Sequence, residues 1–140
     1  MSTNSLKKGN YIVFNDEFPC SILEINKSAP GKHGHAKYNM MGRNLLTGNK
    51  HNMVLNHHDR PNFVEVKRRT LYCQYFDDNY AYAVDDEGDE ETFFVKGEEL
   101  VEKIESGKYD DGCDISVMDL SYTLGGDDEP RQESVVMEIK

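Results

Sequence analysis

Thr70-Leu71-Tyr72-Cys73-Gln74-Tyr75-Phe76 sets Leu71, Cys73 and Tyr75 on one side of an extended chain and Tyr72, Gln74 and Phe76 on the other; Asp77-Asp78-Asn79 follows, and Tyr80-Ala81-Tyr82-Ala83-Val84 resumes the alternation. Period-two alternation on both sides of a short polar break reads as a β-hairpin. The same kind of run recurs at 10–14, 18–26, 36–42, 51–55, 62–67, 91–95, 113–120 and 133–139, separated by Gly, Asn, Asp and Pro. That spacing makes the chain all-β. One stretch departs from it: Gly97 to Gly107 places Leu100, Val101 and Ile104 at helical spacing, with Gly107 as a stop, and reads as the one helix. Gly125 to Pro130 reads as an exposed turn before the last strand, because Pro130 cannot continue strand pairing.

A chain of 140 residues is one average domain or two small ones. Charge favours the second. Residues 1–70 carry eleven Lys/Arg against five Asp/Glu, a balance of +6, whereas residues 71–140 carry five against twenty-one, a balance of −16. The whole-chain charge of −10 conceals this asymmetry, which fits a basic part that meets a polyanion and an acidic part that does not. The shift falls at Lys67-Arg68-Arg69, so the expected domains are 1–68 and 69–140. Five strands without a helix precede five strands with one. Small β domains close into barrels to remove exposed edges, and a helix after the third of five strands is the plan of an OB fold. The acidic run 85–91 reads as a solubilising surface.

Several chemistries are disfavoured. No run approaches the roughly 20 apolar residues of a membrane span, and the first eight residues have no apolar stretch like that of a signal peptide, so a cytoplasmic location without membrane contact is expected. Cys20, Cys73 and Cys113 lack the spacing of a metal site or a disulfide framework; Cys20 and Cys73 read as small buried hydrophobes. Gly31-Lys32 is no P-loop, since Asn26 and His33 stand where Gly and Ser/Thr are required. His33, His35, His57 and His58 have no recognised ligand spacing, so no metal is expected. No nucleophile–base signature marks an enzyme.

The stretch left over is Lys27-Ser28-Ala29-Pro30-Gly31-Lys32-His33-Gly34-His35-Ala36-Lys37, between two strands. Three lysines, two histidines and two glycines are unsuited to packing. Glycines just before and two residues after Lys32 permit conformations that other residues avoid, and the segment reads as an exposed prong with Lys32 at its tip.

Pro30-Gly31-Lys32-His33-Gly34-His35-Ala36-Lys37 resembles the hypusine loop of the eukaryotic and archaeal translation initiation factor 5A family. Thr47-Gly48-Asn49-Lys50 is similar to the family's Thr-Gly-Lys-Lys turn, Lys67-Arg68 to its basic pair at the domain junction, and Lys108-Tyr109-Asp110-Asp111-Gly112 to its segment after the helix. Ala29 stands where many members carry another basic residue. The resemblance implies an SH3-like barrel carrying the loop 27–37, then an acidic OB-fold domain. It implies that Lys32 receives an aminobutyl group from spermidine through deoxyhypusine synthase and a hydroxyl through deoxyhypusine hydroxylase, with no separate cofactor. It further implies a non-enzymatic factor in the ribosomal exit site, reaching the acceptor end of peptidyl-tRNA to help peptide bonds form at stalling sequences such as consecutive prolines, and to help termination. Lys27, Arg43, Lys50, Lys67, Arg68 and Arg69, with Lys37 of the loop, would then contact RNA phosphate without reading bases. The −16 half is expected to face a basic protein partner, a ribosomal protein or solvent, and a weak homodimer stays open. The competing readings are an unmodified RNA-binding module with Tyr72, Tyr75, Tyr80 and Tyr82 as stacking platforms, and a small hydrolase or redox enzyme using Cys20 or a His. Alternation favours core packing for those tyrosines.

Overall fold

The structure, a computed structural model, describes residues 6–28, 36–56 and 59–140. Among the described residues it holds nine strands and one helix: β1 (Tyr11–Phe14), β2 (Phe18–Ser28), β3 (Lys37–Asn44), β4 (Lys50–Asn56), β5 (Glu65–Asp77), β6 (Tyr80–Val84), β7 (Glu90–Phe94), α1 (Glu98–Glu105), β8 (Cys113–Tyr122) and β9 (Arg131–Ile139). The runs expected at 62–67 and 70–76 are joined in one thirteen-residue strand, β5, so ten expected strands become nine. Contacts divide the chain into a unit of 1–65 with 121–131 and a unit of 66–120 with 132–140. Lys67-Arg68-Arg69 therefore sits inside a strand of the second unit and not in a connecting loop.

The first unit is an antiparallel meander in the order β1-β2-β3-β4, the curled sheet of an SH3-like barrel. Asn15 and Asp16 take φ of 53° and 55°, the left-handed region that Asn and Asp tolerate, and turn β1 into β2 at the Phe14–Phe18 pair. The outer edge of β1 is covered by residues 62–64: Val13 N–H donates to Asn62 O at 2.8 Å and Val64 N–H to Tyr11 O at 3.0 Å. Ile12, Phe14, Cys20, Ile22, Met40 and Met53 fill the interior. Gly42 of β3 lies against the Phe14 ring, where no side chain fits.

The second unit is a five-stranded sheet in the order β7-β6-β5-β8-β9. With a helix after its third strand, this is the OB-fold connectivity. Asp78 and Asn79, with φ of 50° and 66°, form the two-residue turn of the β5–β6 hairpin beyond the Asp77–Tyr80 pair. The Leu100 and Ile104 stripe of α1 packs on a core of Leu71, Cys73, Phe93, Ile115, Val117 and Ile139, as its spacing requires. Asp85 Oδ1 accepts from Glu87 N and Asp89 N, both at 2.9 Å, so one carboxylate of the acidic run shapes the β6–β7 turn.

One alternation does not survive folding. Cys73 pairs with Ala83, but the next pair along is Tyr75–Tyr82, so Gln74 is an extra residue in a β-bulge. A bulge exchanges the faces of everything beyond it. Leu71 and Cys73 point inward, Phe76 becomes half-buried, and Tyr75 turns out to solvent. The tyrosines expected in the core are on the surface: Tyr72 is 43%, Tyr75 49% and Tyr80 41% exposed.

Candidate functional site

The antiparallel ribbon of β2 and β3 runs from the Cys20–Asn44 pair to the Ser28–Lys37 pair, and β4 supports its end, with Asn56 opposite Lys37 and Leu55 opposite Tyr38. Three strands thus brace the base of the segment between Ser28 and Lys37. Pro30, Gly31, Lys32, His33, Gly34 and His35 lie outside the described residues, as do His57 and His58. Ala36 precedes β3, half-buried.

The flanking lysines are exposed on opposite faces of the ribbon. Lys27 is paired with Tyr38, and its Nζ stands 6.0 Å from the centre of that buried ring. Lys37 instead starts a row that alternation places on the outer face: Lys37, Asn39, Met41 and Arg43 on β3, with Lys50, Asn52 and Val54 on β4. Lys37 and Arg43 are six residues apart, roughly 20 Å along the strand. Arg43 and Lys50 face each other across one pair, and Arg43 Nη1 donates to Gly48 O at 2.8 Å, which holds it over the β3–β4 turn. Between these basic ends, a shallow hollow of about 220 Å³ is lined by Asn26, Asn39, Met41, Asn52 and Val54, with Glu24 as its one carboxylate. Its three amides can hydrogen-bond to phosphodiester oxygens, on a lining that Met40, Met41, Met53 and Val54 make otherwise apolar.

The basic trio of β5 divides. Lys67 and Arg68 are exposed, and Arg68 borders a hollow of about 410 Å³ with Thr70, Ser116, Met118, Met137 and Lys140. Arg69 is committed within the second unit. Its Nη1 is 2.5 Å from Glu91 Oε2 and its Nε 2.6 Å from Asp119 Oδ2, and the guanidinium lies 5.9 Å from the centre of the Phe93 ring. The hydrogen bonds it donates to Glu91 and then to Asp119 push its ionisation still higher than that of a free guanidinium. The run of three basic residues concealed this, because the two acids come from β7 and β8.

Burial pushes the Cys20 thiol up to about 12 and the Cys73 thiol to about 11. At neutral pH both are fully protonated, and neither is poised as a nucleophile. Among the described residues no three His, Cys, Asp or Glu side chains gather as for a metal ion, and no helix is long and apolar enough to cross a membrane.

Residues 1–58 match the family model of the translation initiation factor 5A-like N-terminal domain. The chain is similar to translation initiation factor 5A of Methanopyrus kandleri, 33% identical over 119 residues that cover 76% of this chain and 79% of that protein. It is 42% identical over 53 residues to the factor of Korarchaeum cryptofilum and 44% identical over 50 to that of Trypanosoma brucei brucei, matches that span 39% and 30% of those proteins and 38% and 36% of this chain. Its fold is similar to that of a translation initiation factor 5A family protein from Naegleria fowleri, with a TM-score of 0.75 and 28% identity over 100% of this chain and 96% of that one. With an SH3-like unit and an OB-fold unit matched along most of the chain, this protein belongs to the translation initiation factor 5A family.

Proposed function

We propose that this chain is a ribosome-binding translation factor that acts through a hypusine at Lys32, promoting peptide bond formation at stalling sequences and termination from the exit site, next to the acceptor end of peptidyl-tRNA. The observation that carries this reading is the β2–β3 ribbon, which delivers the Pro30–Lys37 motif from a rung braced by three strands and flanked by Lys27 and Lys37. A braced base lowers the entropy lost when the tip is placed against RNA.

The primary amine of Lys32 is what deoxyhypusine synthase would extend with the aminobutyl group of spermidine and the hydroxylase complete; the added chain supplies reach and a second positive charge. The chain's own residues supply anchorage. Lys27, Lys37, Arg43 and Lys50 bind phosphates along the ribbon, and Lys67 and Arg68 do so from β5, whereas Arg69 serves the second unit's structure. The factor positions the tRNA end, and the ribosome performs the chemistry, so no catalytic residue is assigned to this protein. A cytoplasmic site of action follows from that role.

The test is the mass of the peptide containing Lys32, from protein purified out of its native cells and compared with bacterially expressed material. An added hydroxylated aminobutyl group is the expected result. Unmodified lysine in native protein would leave an ordinary RNA-binding module in its place.

A further inference from the structure

The outer face of β5, β6 and β7 carries a row of aromatic rings that nothing in the proposed ribosomal role uses. Tyr75 stacks on Tyr82 across the β5–β6 pair, with ring centres 4.6 Å apart and planes within 10°. Tyr80 meets Phe94 across β6–β7 at 5.1 Å, and Phe94 is half exposed. Tyr72 extends the row over Gly112, whose bare Cα leaves room for the phenol. Large exposed rings side by side on one sheet mark an interaction surface.

Charge identifies the occupant. The segment 71–96 holds eight carboxylates and one lysine, Lys96. The carboxylates bound the row at both ends: Asp77 is paired with Tyr80 beside the Asp78 turn, and Glu90 is paired with Val84 beside the turn at 85–89. The two ends are four residues apart on β6, roughly 13 Å. A single-stranded nucleic acid would stack on such rings, but its phosphates would lie against carboxylates. A guanidinium gains from both features, since it is weakly hydrated, lies flat on aromatic faces and pairs with carboxylates.

We propose that this face docks an arginine-rich polypeptide segment of a partner protein, with guanidinium groups on Tyr75, Tyr80 and Phe94 and their charge met by Asp77 and Glu90. The surface lies wholly in the second unit, and its occupancy is independent of Lys32.

The test is fluorescence anisotropy of the full-length protein with a labelled peptide of six Arg-Gly repeats. Binding is expected, weakening as salt is raised, at least tenfold weaker for Tyr75→Ala and for Phe94→Ala, and several-fold weaker when Lys replaces Arg in the peptide. Circular dichroism checks that the variants fold, and Asp77→Asn with Glu90→Gln, which keeps every ring, must weaken binding as well. Absence of binding would overturn the proposal, as would equal affinity of the ring variants. So would binding of a labelled oligouridylate that the same variants abolish, or a dimer seen by sedimentation that they dissolve and the peptide does not.

Discussion

The Phe14 ring occupies the place where a side chain at Gly42 would have to go: a β-carbon on Gly42 would stand 2.5 Å from Phe14 Cζ and 3.1 Å from Cys20 Cβ. Phe14 is fully buried, so the ring cannot swing away into solvent.

Gly42→Ala is therefore expected to destabilise the first unit by about 1–3 kcal/mol, the usual cost of overpacking a filled core. Phe14→Leu in the same chain should relieve part of that loss. Chemical denaturation of the two single variants and the double variant checks this, and additive losses would show that the contact does not limit position 42.

The Arg69 ion pairs make a separate prediction. Because Arg69, Glu91 and Asp119 are each about one-third exposed, solvent screens their attraction. A double-mutant cycle on Arg69→Met and Asp119→Asn should give a coupling of roughly 1 kcal/mol, falling in high salt. Loss of affinity for ribosomes in Arg69→Met at unchanged stability would return this residue to the phosphate-binding set.

Alkaline pH should act through Cys20. In the unfolded chain its thiol ionises near 9, and in the folded chain burial delays this to about 12. Above pH 9 the unfolded chain gives up a proton that the folded chain keeps, so stability is full below pH 9 and falls as pH rises toward 12, by about 1.4 kcal/mol per unit at most. Cys20→Ala removes this contribution. Its Tm should fall less than that of the parent between pH 8 and pH 10.5, and parallel curves would refute the assignment.

Lys32→Arg separates fold from function. It preserves charge but removes the primary amine that, in the proposed function, deoxyhypusine synthase would extend, so Tm should stay the same while the variant fails to replace the wild type in translation. A functional Lys32→Arg chain would defeat the hypusine reading.

Much of this architecture was legible because local signals agreed with the fold. Asp78-Asn79 turned as its chemistry demands, and the Leu100, Val101 and Ile104 spacing gave α1. The loop motif was legible as a motif, and its strand-borne base follows from the apolar runs on either side. What escaped was non-local. Nothing near Gln74 announces a bulge, since the extra residue is defined only against β6, and the alternation around it is undisturbed in the sequence. Arg69 escaped for the same reason, its partners being 22 and 50 residues away.

The stacked Tyr75–Tyr82 pair has an optical consequence. The chain has eight tyrosines and no tryptophan, so its near-ultraviolet absorption and emission are dominated by phenol rings. Two such rings, nearly parallel and 4.6 Å apart, couple their electronic transitions and give a circular dichroism band that isolated phenols lack. The outer face of the second unit's sheet thus carries its own chromophore, and whatever settles on it would alter the spectrum of an unlabelled protein.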